Sequence, residues 1–313
     1  MATTSANWAE AMLPIVREIY TLSGEKEKDY IAEICGRSTS KLQSERTLGI
    51  GGRTYMKEWN DAGRTAAGAY QDTEKGHYNT YTHKKFVDAA AIERDWIDDN
   101  QYDKIYREIR GLRRNGHNTQ QYHFSELFNT AWAGESSALG SLLLADGKPL
   151  ASTAHTYNSA GSGGTFSNSN TSLALSGPNL EAVRTAILTT WKDDKNNLLN
   201  LNPDDFLLLV PTALRETALV IAGSDGKPNT TDNNINVWKG SIDVVEWPRL
   251  TDTTAWFVIV KPQARDLCHW YDRRALDISD HVDFNSEQAL YKIIGRWSFG
   301  SDAPPAWVYC AKG

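Results

Sequence analysis

The sequence predicts an α+β protein built around a mixed sheet, and three patterns carry that prediction. Between Asn202 and Lys261 the chain reads as strand, proline-started helix, polar loop, strand, turn and strand. From Asp98 to Trp132 apolar residues recur at helical spacing. Towards both ends, apolar and polar residues alternate between glycines and turn formers, as strands do.

In chain order, Leu13, Val16, Ile19 and Tyr20 lie at helical spacing between about Trp8 and Lys28, and Asp29 to Cys35 suits a second, short helix. Leu48 to Trp59 and Gly76 to Val87 alternate as strands, while the Gly-, Ala- and Asp-rich residues between them have little to bury. An extended hairpin reaching out from the body follows. Tyr102, Ile105, Tyr106, Ile109 and Leu112 trace one helical face, which Phe124, Leu127, Phe128, Ala131 and Trp132 resume; Asp98 and Asp99 complement the helix dipole. Between the two halves, Arg113-Arg114-Asn115-Gly116-His117-Asn118 departs from a clean helix and leaves open whether one continuous helix, a kink or a break lies there. Tyr157 to Asn170 is a polar, flexible Ser, Gly and Asn tract, and Pro178 to Trp191 reads as a helix with Leu180, Val183, Ile187 and Leu188 on one side.

Phe206 to Val210 is an apolar run suited to a strand buried on both faces. Pro211 opens a helix that runs through Ala222, with Leu214, Ala218 and Ile221 on one face and Gly223 as a left-handed stop. Asn236 to Glu246 and Ala255 to Val260 predict two antiparallel strands sharing the sheet of Phe206 to Val210. Leu290 to Phe299 and Ala306 to Cys310 also read as strands.

The 313 residues exceed what one core easily organises, and 40% hydrophobic residues with a mean hydropathy of -0.50 make the chain rather polar for that size. Against this stand 11 Trp and 13 Tyr, most of which are expected to fill the subunit's own core. A net charge of -6 and a pI near 5.7 leave no overall basic field to grip nucleic acid. Cys35, Cys268 and Cys310 have neither an even count nor metal-site spacing, so free thiols in a reducing compartment are expected. No apolar run approaches the ~20 residues that cross a bilayer, so no membrane partner is expected. The first residues lack the basic and apolar regions of a secretory signal.

Chemical motifs are weak throughout. Ser152 and His155 evoke nucleophilic catalysis, yet no nucleophile elbow accompanies them. His117 and His123 lack an HExxH pattern and read as surface or capping residues. Gly49-Ile50-Gly51-Gly52 enters a strand and not a helix, and Gly223-Ser224-Asp225-Gly226-Lys227 lacks Walker spacing. Asp193-Asp194 and Asp204-Asp205 read as solvated turns. No catalytic, cofactor-binding or metal-ligating residue is assigned.

Several words in the chain occur in a telling order: Asp146-Gly147-Lys148-Pro149-Leu150, Ser152-Thr153-Ala154-His155, Leu207-Leu208-Leu209-Val210-Pro211 with Leu214 and Thr217-Ala218, and Leu250-Thr251-Asp252-Thr253 before Ala255-Trp256-Phe257. In this order the chain resembles the major capsid proteins of tailed phages with the Hong Kong 97-type fold, and among them the Mu-like head subunits. The resemblance implies an N-terminal arm (1–45), an extended hairpin loop (46–90), a peripheral domain with a long spine helix (91–133), an axial domain with a central mixed sheet (134–261), and a return to the peripheral domain (262–313) that would include both C-terminal strands. It implies that the hairpin lies over a neighbouring subunit, with Arg53, Lys57, Trp59, Arg64 and Tyr70 as candidate contacts. Some relatives cross-link a loop lysine to a neighbour's asparagine, and Lys57 and Lys75 occupy that region.

The function so implied is structural. Hexamers and pentamers of this chain would form an icosahedral head shell around double-stranded DNA, bound without sequence specificity, in a virion assembled in the host bacterial cytoplasm. A portal and a decoration protein are expected partners. Because only residues 1–45 precede the hairpin, a separate scaffolding protein is expected too. The alternatives are an encapsulin-like compartment shell and, from another class, an α/β hydrolase.

Overall fold

The computed structural model describes residues 8–24, 27–56, 73–202, 204–226, 235–283 and 288–313. Helix α1 (Trp8–Gly24) leads into α2 (Tyr30–Ile34), which Asp29 caps by accepting from the N–H groups of Ile31 and Ala32. After β1 (Ser38–Thr39), strand β2 (Ser44–Ile50) pairs antiparallel with β3 (Lys75–Thr82) as a two-stranded ribbon. Strand β4 (Lys84–Glu93) and the short α3 (Asp95–Asp98) then precede α4 (Tyr102–Asn129).

The helix is continuous at the segment whose course the sequence left open: α4 runs unbroken for 28 residues through Gly116. Gly116 answers a packing need, since a Cβ there would lie 2.7 Å from Ile293 Cδ1 and 3.2 Å from Leu276 Cδ1. Its bare backbone lets the helix settle on the sheet beneath it.

Two ribbons, β5 (Glu135–Ser136) with β6 (Gly140–Ser141) and β7 (His155–Thr156) with β8 (Thr165–Phe166), are followed by β9 (Ser169–Asn170). Ser176 Oγ accepts from Asn179 N–H to cap α5 (Gly177–Thr190), with Pro178 in its first turn. The remainder comprises β10 (Phe206–Val210), a 3₁₀ turn at Thr212–Leu214, α6 (Arg215–Gly223), β11 (Asp243–Glu246), β12 (Ala255–Val260), α7 (Lys261–Leu267), β13 (Cys268–Asp283), β14 (Gln288–Ser301) and β15 (Val308–Lys312).

These strands build a five-stranded sheet, β11-β10-β12-β15-β9, and a four-stranded sheet, β1-β13-β14-β4. Several expectations are corrected here. The strand predicted from Asn236 is confined to Asp243–Glu246 and pairs parallel to β10, while β12 pairs antiparallel on the other side. The two strands therefore flank β10 and do not pair with each other. Gly223 belongs to α6, which ends at Ser224 in extended conformation and not in a left-handed stop. Strand β15 pairs with β12 in the five-stranded sheet, whereas β14 lies between β13 and β4. The 16-residue β13 has no counterpart in the sequence reading, because its Asp272, Arg273 and Arg274 fall at register shifts that break the alternation.

Burial explains the unbroken apolar run of β10. Leu207 and Leu209 point into a core with Phe124, Phe128, Trp247, Trp270 and Trp307, while Phe206, Leu208 and Val210 enter a second one with Val183, Ile187, Trp191 and Trp256. A third cluster joins Val16 and Tyr20 of α1 to Ile105 and Ile109 of α4 and to Ile278, Tyr291 and Ile293 of the four-stranded sheet. The described part of residues 1–45 is thus packed on the body.

Candidate assembly interface

The ribbon β2–β3 presents two chemically different faces. Its outer face carries Arg46, Leu48, Ile50, Tyr78 and Thr80, all exposed, with Leu48 directly opposite Tyr78. Beyond the ribbon, Tyr55 and Met56 are exposed as well. Its inner face is fastened to the body: Thr47 Oγ1 and Tyr81 OH donate to Asp302 Oδ1, each at 2.6 Å, and His77 Nε2 lies 2.9 Å from Thr156 O. Burial pushes the Asp302 carboxyl up, but hydrogen bonds from His269, Thr47 and Tyr81 outweigh it and hold the group below its ordinary value. Burial and the Asp302 charge push the Tyr81 phenol well up, so it serves as a neutral donor.

Where the ribbon leaves the body, a clasp forms against the loop after α5. Glu74 accepts from Lys195 Nζ at 2.9 Å, Asn158 Nδ2 at 2.9 Å and Ser162 Oγ at 2.7 Å. Lys195 and Ser162 hold its carboxyl below the usual carboxylate range. Asp194 accepts from Gly52 N–H, and Asn197 Nδ2 donates to Arg53 O at 2.7 Å. Gly51 and Gly52 permit this approach, because a Cβ at Gly52 would lie 2.0 Å from Asp193 Oδ2 and one at Gly51 2.6 Å from Asp194 Oδ2. Within the Asp193-Asp194 pair, expected as a solvated turn, Asp193 thus orders its own loop by accepting from the N–H groups of Lys195 and Asn197 while Asp194 grips the root of the hairpin.

Of the candidate contacts, Arg53 is exposed beside this clasp. Lys57, Trp59, Arg64 and Tyr70 lie outside the described residues. Lys75 is exposed opposite Ile50. The sequence reading missed Leu48, Ile50 and Tyr78, although their alternation with Thr47, Gly49, His77 and Asn79 carried the signal.

The weak chemical motifs resolve into structural roles. His155 is fully buried, its Nδ1 2.6 Å from Asp146 Oδ2 and its Nε2 3.3 Å from the Leu150 carbonyl, where a nucleophile would have to sit. Ser152 Oγ instead accepts from Ala154 N–H. His123, expected at the surface, is buried against Phe86 and accepts from Trp297 Nε1 at 3.3 Å. His117 Nε2 lies 3.2 Å from Lys28 O and its Nδ1 3.7 Å from Glu27. The three cysteines are buried free thiols.

A family model described as "Phage capsid protein" matches residues 78–308, which take in α4 and the strands of both large sheets from β4 to β14. No curated protein matches the chain. Among solved structures, the capsid of the cyanophage P-SCSP1u is similar at 12% identity and a TM-score of 0.54, covering 89% of this chain and 86% of that one. The virus-like particle from Pyrococcus furiosus is similar at 7% identity and a TM-score of 0.53, covering 96% and 98%. The procapsid of bacteriophage JBD30 is similar at 11% identity and a TM-score of 0.52, covering 97% and 74%. At such identities these are likenesses of fold.

Proposed function

The chain belongs to the phage capsid protein family, and from that membership we propose that it assembles as hexamers and pentamers into the icosahedral head shell of a tailed phage, around double-stranded DNA. It is a major capsid protein with the Hong Kong 97-type fold, a structural component of the virion and not an enzyme. The observation that carries this reading is the family match across residues 78–308. The words at Asp146–Leu150 and Leu207–Pro211 support a Mu-like head subunit within that family.

In domain terms, the axial domain is the five-stranded sheet with α5 and α6, and it takes in β15; the peripheral domain is α4 on the four-stranded sheet. The ribbon β2–β3 lies over a neighbouring subunit, and Leu48, Ile50, Tyr78 and Arg53 are its proposed contacts among the described residues. A buried apolar stripe beside a polar rim is how specific interfaces are built. A separate scaffolding protein, a portal and a decoration protein complete the assembly, which proceeds in the host cytoplasm.

Electron microscopy of the purified assembly, with nuclease-protected nucleic acid measured on the same sample, tests this. Icosahedral shells holding protected double-stranded DNA are expected. Empty shells containing cargo protein would favour the compartment, and chains that stay monomeric beside their scaffolding protein would overturn the shell reading.

A further inference from the structure

Three cations line up across one face of the four-stranded sheet. Lys85 of β4 is directly opposite Arg296 of β14, and Arg296 is directly opposite Arg274 of β13. Arg273, at the register shift beside Arg274, completes a basic cleft of about 270 Å³. Like charges directly opposite one another on a sheet are destabilising, so this arrangement calls for a counter-anion. The subunit supplies one in part: Asp277 accepts from Arg274 at 3.2 Å, and Arg296 Nε donates to the His83 carbonyl. Lys85, Arg273 and Arg296 pair with no carboxylate among the described residues, and the buried Arg273 Nε has no hydrogen-bond partner.

The far end of β4 carries the opposite charge. Glu93, Asp95, Asp98, Asp99 and Asp103 are all exposed, against Arg94, which pairs with Asp98 at 3.5 Å, and Lys104, which lies over the Trp96 ring. Eight residues of extended strand separate Lys85 from Glu93, about 26 Å at ~3.3 Å per residue. That is some three Debye lengths of ~8 Å at physiological salt, so the two patches cannot neutralise each other within one subunit.

We propose that the basic cleft of Lys85, Arg273, Arg274 and Arg296 receives the acidic segment Glu93–Asp103 of a second copy of this chain. The inference rests on the shell reading. Two complementary patches at opposite ends of one strand make a head-to-tail contact, the kind that propagates or closes a ring. Charge complementarity of this sort sets partner orientation and register.

The test compares shell yield and sedimentation for the wild-type chain, Lys85→Glu/Arg274→Glu, Asp95→Lys/Asp99→Lys, and the variant carrying all four changes, each assembled with the same scaffolding protein. Each paired reversal is expected to cut shell yield at least about tenfold, because like charges then face each other. The fourfold variant is expected to recover it. Unfolding midpoints close to wild type establish that the subunits are folded, and the single Lys85→Glu change, at an exposed position, gives a milder version of the same comparison. Unchanged yields, or a fourfold variant no better than the paired ones, would overturn the proposal while leaving the shell reading intact. Normal shells that lose their DNA would overturn it in favour of contact between the cleft and packaged phosphates. Only a wild-type chain that forms no shell counts against the shell reading itself.

Discussion

Gly116 and Gly111 occupy the same helix and have opposite reasons to be glycine. A Cβ at Gly111 meets nothing within 4 Å, so Gly111→Ala is expected to stabilise the unassembled subunit by about 0.5–1 kcal/mol through helix propensity. Gly116→Val forces branched methyls against Ile293 and Leu276 and is expected to destabilise it by about 1–3 kcal/mol. Urea denaturation of the unassembled subunit checks both signs. His123 makes a second residue-scale prediction. Burial, with a smaller contribution from the nearby Lys84 charge, pushes its pKa down to about 4, against about 6.5 in an unfolded chain. The stability of the neutral ring is complete above pH 6.5. It is lost as pH falls towards 4, because the unfolded chain takes up a proton that the folded ring refuses. His123→Gln, which keeps an acceptor for Trp297 and cannot titrate in this range, is expected to flatten that part of a denaturation profile against pH. The residue types at these positions were visible in the sequence. What they touch was not, which is why His123 read as a surface or capping residue and the course of the helix at Gly116 stayed open.

At the scale of elements, the long helix, the apolar β10 and the alternating ribbon were legible because each has its own periodicity. The 16-residue β13 was not, because its charged and irregular middle acquires strand geometry only by pairing with β14. The clasp at the root of the hairpin was equally hidden, since Glu74 and Lys195 lie far apart in the chain. Their ion pair is exposed and contributes little to global stability. Lys195→Ala is therefore expected to leave the unfolding midpoint nearly unchanged while freeing the segment around Gly51 to Arg53. Faster amide exchange there, with unchanged exchange in β10 and β12, is the outcome hydrogen-exchange mass spectrometry should record. A slowed or unaltered Gly51–Arg53 segment would count against the clasp.

At the scale of the whole molecule, six tryptophans among the described residues lie fully buried in the two cores that sandwich the five-stranded sheet: Trp191, Trp247, Trp256, Trp270, Trp297 and Trp307. Trp256, whose indole N–H also donates to the Leu173 carbonyl at 2.8 Å, is expected to cost about 3–5 kcal/mol as Trp256→Ala. That loss should leave no assembly-competent subunit, read as loss of soluble monomer. Alanine at Arg53, Lys57 and Trp59 together is expected to do the reverse, leaving the subunit folded and reducing shell yield. A normal yield of shells from that triple variant would remove the hairpin from the list of contacts.

The sequence by itself determined the α+β class, the long helix and the central strand, because periodicity and turn chemistry are local properties of the chain. Its ordered words also pointed to the family that the match over residues 78–308 establishes. Only the tertiary structure decided that β15 closes the five-stranded sheet, that β11 and β12 flank β10, that α4 passes unbroken over the sheet at Gly116, and that Lys85, Arg274 and Arg296 meet on one face. Each of these depends on strands and side chains distant in sequence coming into register, and that pairing is set by the packing of the whole chain.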